Sequence, residues 1–234
     1  MKDLIEEIQN IIFNFVEFKP CTKKELKTAV DLWCEDKKKA LNRYGHISTW
    51  NMSQITDMSA LFYHKKEFDD DIANWDVSNV KNMSNMFSYV DLFNQPLNKW
   101  NVSNVKNMED MFFSTKLFNQ PLNEWDVSNV TNMSQMFSHS ESFNQNINSW
   151  DVSHVKNMCY MFCNNKKFNQ PLNDWNVSKV ENMNYMFNGC LSFNQPLNKW
   201  DISNVSEMIL MFRFADSFNQ PLDNWNLKNQ LQLK

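Results

Sequence analysis

The stretch FNQPLNKWNVSNVKNMEDMF, Phe93 to Phe112, decides the architecture of this chain because it is one copy of a repeat. Its tryptophan belongs to the series Trp50, Trp75, Trp100, Trp125, Trp150, Trp175, Trp200 and Trp225, each 25 residues from the next; only Trp33 stands outside it. Phe recurs seven residues before each Trp from Phe68 to Phe218, and twelve residues after each Trp from Phe62 to Phe212. Met stands eight residues after each Trp from Met58 to Met208. One such unit cannot bury its own apolar face, whereas stacked neighbours can. A buried aromatic removes roughly 150–250 Å² from water. At roughly 25 cal/mol per Å² that is several kcal/mol before ordering entropy is subtracted. The repeated Trp and both repeated Phe are therefore assigned to the core.

Within a copy, Trp100-Asn101-Val102-Ser103 alternates apolar and polar residues, the period of a short half-buried strand. Val105, Met108, Met111 and Phe112 follow at spacings that suit a short helix, and Asn107 is placed to cap it. Asp57, Asn82, Asn132, Asn157 and Asn182 stand at the same place, with Glu207 the exception. Pro96, Pro121, Pro171, Pro196 and Pro221 fix an extended or turn geometry; Asp71 and Asn146 replace Pro in two copies. Asn94, Asn119, Asn144, Asn169, Asn194 and Asn219 fall in register and are read as a buried structural ladder. The expected fold is an α/β repeat solenoid over residues 45–234, with about seven coils, each holding a short parallel β-strand and a short helix.

Residues 1–44 are read as an α-helical N-terminal cap for the stack, whose end would otherwise expose apolar surface. Leu4, Ile5, Ile8, Ile11, Ile12 and Phe15 or Val16 form one helical stripe. A second helix starts at Thr22, which forms a capping box with Glu25. It aligns Leu26, Val30, Trp33 and Leu41 and ends at Gly45. After Trp225, Leu227, Leu231 and Leu233 sit in a short polar tail that closes the stack.

Composition narrows the function. With 42% hydrophobic residues the chain is not disordered. The net charge is −4 with both signs interspersed, which argues against nucleic acid as a partner. The five cysteines, Cys21, Cys34, Cys159, Cys163 and Cys190, have no disulfide-scaffold spacing, which fits a reducing compartment. No secretory signal and no membrane-length apolar run is read in the sequence, so an intracellular location is expected. His46, His64, His139 and His154 form no nucleophile elbow or His-Glu-x-x-His pattern, and no phosphate loop is present. No enzymatic activity and no cofactor are assigned. His139, Cys163 and Cys190 lie 14, 13 and 15 residues after successive Trp and are zinc-competent residue types, but their spacing matches no zinc site. Asp69, Asp70 and Asp71 lack the alternating ligands of a calcium loop and are read as a solvent-exposed variation.

The copies FNQPLNKWNVSNVKNMEDMF and FNQPLNEWDVSNVTNMSQMF resemble the BspA-type leucine-rich-repeat family, first described in Mycoplasma surface lipoproteins. The resemblance covers residues 46 to 226. Residues Glu25 to Asn51 also look like the leader of such repeats in protists, algae and large DNA viruses. The resemblance implies a leucine-rich-repeat-like solenoid used for adhesion or protein interaction and carries over no catalytic residue. It also implies a viral or protist origin, with the host cytoplasm or a virion as the site of action.

Specificity is expected where copies differ. The five residues after the second Phe vary most and are placed on one edge. The candidate partner-binding residues are Phe113, Thr115, Lys116, His139, Glu141, Asn164, Lys166, Arg213 and Asp216. The expected partner is a protein, with carbohydrate as a second class. Self-association in a particle or envelope, and a polysaccharide-active enzyme, are the alternatives.

Overall fold

The computed structural model describes residues 17–225. Helix α1 (Lys23–Glu35) starts at the Thr22 capping box: the Thr22 hydroxyl accepts from the Glu25 N–H, and the Glu25 carboxylate accepts from the Thr22 N–H. It buries Leu26, Ala29, Val30 and Trp33. The expected single helix to Gly45 is interrupted at Asp36. Its backbone leaves helical geometry, and its carboxylate accepts from the Lys39 N–H to cap helix α2 (Lys37–Tyr44). The break turns Leu41 outward, 44% exposed, where the sequence pattern placed it inside. Gly45, at φ 71°, ends α2. The stripe from Leu4 to Val16 and the tail from Leu227 to Leu233 lie outside the described residues.

In the acidic run Asp69 and Asp71 are exposed, as expected, while Asp70 is half-buried. Asp70 accepts from the Trp33 indole N–H at 2.8 Å and pairs with Lys37. Asp69 accepts from the Asn94 N–H and Asp71 from the Ala73 N–H. With Lys65 against Asp31 at 2.8 Å, the Asp70 contacts dock the helical cap onto the first coil.

Coils are numbered here from the one beginning at Trp50, and positions count residues after each coil's Trp. Neither the expected strand nor the expected helix exists among the described residues: α1 and α2 are the α-helices, and no strand forms. The α/β solenoid with leucine-rich-repeat-like coils is therefore wrong for this chain. Parallel pairing contracts to one bridge per coil at position 7, from Asp57↔Asn82 through Asn182↔Glu207. The alternation over Trp100–Ser103 comes from tight turns instead. Asn101 Oδ1 accepts from the Ser103 N–H, and the Val105 N–H donates to the Val102 carbonyl.

The helix reading fails for an instructive reason. Met111 N–H donates to Met108, Phe113 to Asp110 and Thr115 to Phe112, so the segment is a run of linked reverse turns. A three-residue turn spacing mimics helical periodicity in the placement of Val105, Met108 and Met111. The alternate N–H groups leave the coil altogether. Met108 donates to Asn132 (3.0 Å), Asp110 to Ser134 (2.9 Å), Phe112 to Met136 (3.0 Å) and Ser114 to Ser138 (2.8 Å). The same four bonds recur in each gap between successive coils, from Met58→Asn82 to Gly189→Arg213. They run in one direction, from each coil's N–H to the next coil's carbonyl. The turns require a left-handed residue at positions 10 and 14 of every coil, with φ from 52° at Leu210 to 70° at Gly189. Asn107 caps no helix. Its side chain accepts from the Glu109 N–H two residues on, as the Asx turns of the other copies do.

The core is a set of ring columns. Phe112 stacks on Phe87 and Phe137 at 5.5 and 5.6 Å, and on Phe118 of its own coil at 4.2 Å. From Trp75 on, each repeated Trp ring also donates to the carbonyl 28 residues earlier: Trp150 Nε1 to Leu122 at 2.9 Å, Trp175 to Ile147 at 3.0 Å. Buried Trp is thus both filler and inter-coil tie. The asparagine ladder is present, but at a half-exposed edge. Asn119 N–H donates to Asn94 Oδ1 and Asn144 N–H to Asn119 Oδ1, while Gln145 adds its amide to the same Asn119 oxygen. No helix among the described residues is long and apolar enough to cross a membrane.

Candidate partner-binding face

The turn run fixes which variable side chains point outward. Positions 8, 11, 12 and, Lys65 apart, 15 face the core, whereas positions 9, 10, 13 and 14 lie along the hydrogen-bonded ladder, most of them half-buried or exposed but Ser88, Ser134, Ser138, Cys163 and Gly189 buried. With a spacing of about 4.8 Å between paired backbones, the seven coils make a strip about 29 Å long.

This divides the variable segment that the sequence placed on one edge. Phe113, His139, Asn164 and Arg213 fall on the ladder strip. Thr115 does not: it is fully buried, and its hydroxyl donates to the Phe87 carbonyl at 2.7 Å. Ser140 and Cys190 repeat that contact to Phe112 and Phe162, so in these three coils position 15 is an interior slot for a small hydrogen-bond donor. Lys116, Glu141, Lys166 and Asp216 turn onto a separate edge at position 16. There the charges alternate and pair between coils, Lys116 with Asp91 at 3.1 Å and Lys166 with Glu141 at 3.4 Å. Such exposed pairs contribute little and leave the edge nearly neutral.

The ladder strip has an unusual composition for a surface. Over seven coils its charged residues are Glu109, Asp110 and Arg213, in a chain with 21% charged residues. Aromatic rings run across it. His64 stacks on Tyr89 at 4.4 Å, Tyr89 meets Phe113 at 5.1 Å, Phe113 meets His139 at 5.5 Å, and Tyr160 stacks on Tyr185 at 4.5 Å. Ile209 and Phe214 are 46% and 59% exposed. Between the rings lie Ser, Asn and Gln. Tyr160, Tyr185 and Ile209, at positions 9 and 10, were missed by the sequence reading. The signal was there, since the two residues between the repeated methionines also differ in every copy. It was hidden by the expectation of a helix.

Electrostatics set two of these residues apart. Asp110 has no cation in reach among the described residues, and burial together with neighbouring Glu109 pushes its carboxyl up to about 6. Arg213 lies over the Phe214 ring at 4.6 Å and has no carboxylate partner among the described residues. The zinc-competent residues do not converge. His139 meets the Asn164 amide at 3.2 Å, and Cys190 is buried with its thiol on the Phe162 carbonyl. Burial pushes the Cys159 and Cys163 thiols up to about 11, away from thiolate chemistry. No metal-holding cluster of His, Cys, Asp and Glu occurs among the described residues. A groove between α1 and the first coil is lined by Lys37, Lys65, Glu35 and Asp70, whose charges are taken up by pairing across it.

The model of the family described as "Mycoplasma protein of unknown function, DUF285" matches residues 34–150 and again residues 133–234. The chain belongs to this family. The two DUF285 matches together span every coil and reach back into the end of α1. The DUF285 repeat is thus, in this chain, a coil of linked turns with one parallel bridge. No curated protein and no solved structure matches the chain.

Proposed function

We propose that this chain is a non-catalytic binding module that engages a macromolecular partner, a protein in the first instance, through its ladder strip. The observation that carries the reading is a contrast within one sequence. Positions facing the core repeat from coil to coil, while positions 9, 10, 13 and 14 differ, carry almost no charge and collect Tyr, His, Phe, Ser and Asn. Depletion of charge and enrichment in aromatics mark the centre of protein interfaces, and Tyr with Ser and Asn gives rigid contact area beside adaptable hydrogen bonding. A rigid scaffold with non-repeated outward residues is how stacked-repeat proteins build extended binding surfaces.

The test is capture from extracts of the source cell or its host, using three tagged proteins: the native chain, a strip variant (Phe113→Ser, Tyr160→Ser, Tyr185→Ser) and an edge variant (Lys116→Ser, Lys166→Ser). Circular dichroism and thermal melting establish that each is folded. The expected result is a specific partner retained by the native chain and the edge variant and lost by the strip variant. A partner kept by the strip variant and lost by the edge variant would move the site to the charged edge.

A further inference from the structure

The stack has two unlike ends. In every gap between coils, the N–H groups at positions 8, 10, 12 and 14 donate to the carbonyls at positions 7, 9, 11 and 13 of the next coil. In coil 7 these donors are Met208, Leu210, Phe212 and Phe214, and they have no acceptor among the described residues. The apolar side chains of coil 7 are also less covered. Ile202 is 8% exposed and Val205 and Met208 are 5% exposed, against at most 1% for Val177, Val180 and Met183 in coil 6. At the other end the matching carbonyls belong to coil 1, and α1 runs along that segment. Lys23 meets the Asp57 carboxylate at 3.2 Å and Asp31 meets Lys65 at 2.8 Å, with Leu26, Ala29 and Val30 fully buried between them.

We infer that the open end of coil 7 docks a segment of another protein as an eighth coil, one built on this same repeat pattern. The gaps inside the stack show what fits an end of this kind. Coils 2 to 7, which cover such ends, offer four carbonyls at alternate residues and carry Val or Ile at position 2, Val at position 5 and Met at position 8. Backbone pairing gives such a contact its affinity and the buried side chains give it selectivity, as when a strand joins the edge of a sheet. A second copy of this chain does not fit. Its coil 1 lies under α1, and two coil 7 ends would meet donor against donor. Residues 226–234 depart from the pattern: they put Gln230 at position 5 and contain no position 11 or 13. The partner is therefore a protein with a coil of this repeat whose carbonyl row is not covered by a helix. This inference does not rest on the ladder strip.

The test is amide hydrogen exchange followed by NMR on the full chain, alone and with a synthetic peptide of residues 126–150 at up to about 1 mM, enough to detect millimolar binding. Alone, the amides of Met208, Leu210, Phe212 and Phe214 should exchange at least about a hundredfold faster than those of Met183, Tyr185, Phe187 and Gly189, the same positions of coil 6. The peptide should slow the four coil 7 amides at least about tenfold and leave the coil 6 amides unchanged. A peptide carrying Val130→Asn and Met133→Asn keeps every carbonyl but loses two buried side chains, and should bind at least about tenfold more weakly. Coil 7 amides already slow in the free chain would overturn the inference, because the chain would then cover its own end. So would a native peptide that protects nothing, or an Asn-substituted peptide that protects equally well.

Discussion

Ser114→Gly should stabilise the protein, although it removes a side chain. Ser114 sits at φ 54°, and its N–H donates to the Ser138 carbonyl at 2.8 Å, so the ladder holds it left-handed. That conformation costs an L-residue roughly 1–2 kcal/mol through contact of Cβ with the backbone. Glycine removes this strain but loses roughly 0.5–1 kcal/mol more backbone entropy on folding. The balance is a gain of about 0.5–1 kcal/mol. In a chain of this length it appears as a rise in melting temperature of about 1–4 °C. Ser78→Gly is the matched control. Ser78 has no positive φ, and its N–H is held by Asp76 Oδ1 at 3.1 Å, so glycine there brings the entropy loss alone and should lower the melting temperature by a similar amount. The assay is thermal unfolding followed by tryptophan fluorescence, both variants beside the native chain. If Ser114→Gly melts lower, as Ser78→Gly should, the left-handed turn at position 14 is not strained and the reasoning fails.

Other outcomes follow from the same geometry. Asn165 is fully buried at position 15, and neither of its side-chain polar atoms has a partner; Asn165→Thr should raise stability by about 1–3 kcal/mol in urea titration, since Thr115 shows that a hydroxyl there reaches a carbonyl. Trp150→Phe keeps the ring column but removes the indole bond to the Leu122 carbonyl, which retains only the Trp125 N–H, and should lower stability by about 0.5–1.5 kcal/mol in the same titration. Gly189→Ala places a methyl 2.3 Å from Asn164 Oδ1 at φ 70° and should destabilise the chain, read as a lower melting temperature. Asp110, flanked by Glu109 with Asn85 and Gln135 at the same position of the adjacent coils, has its folded value raised to about 6, so it favours the folded state below its ordinary value of 3.8 and loses that contribution as pH rises through about 6. Asp110→Asn should therefore gain melting temperature over the native chain as pH rises from 4 to 7; a constant difference across that range would refute the assignment.

Much was legible in the sequence because the repeat is a physical constraint written eight times. Trp at a fixed interval has to stack, and a stacked Trp, Phe and Met fill one core. The Thr22–Glu25 capping box and the glycine end at Gly45 were readable because caps are local chemistry, closed within a few residues. The asparagine ladder was readable because equivalent residues of successive coils must lie one above another. What the sequence could not determine was the backbone between those points. Left-handed residues are usually announced by Gly or Asn, yet at positions 10 and 14 only Asn85, Asn164 and Gly189 give that notice, and residues such as Ala60, Tyr89, Gln135, Leu210 and Phe214 give none. Only the neighbouring coil enforces them, by accepting each N–H at a place 24 residues away. The consequence reached the site. In a helix residues 109, 110, 113 and 114 would share a face about 140° wide with their N–H groups bonded within the segment, while linked turns set them along one inter-coil ladder and send Thr115 inward. Local pattern thus determined what is buried, and inter-coil hydrogen bonding decided which way the remaining side chains face.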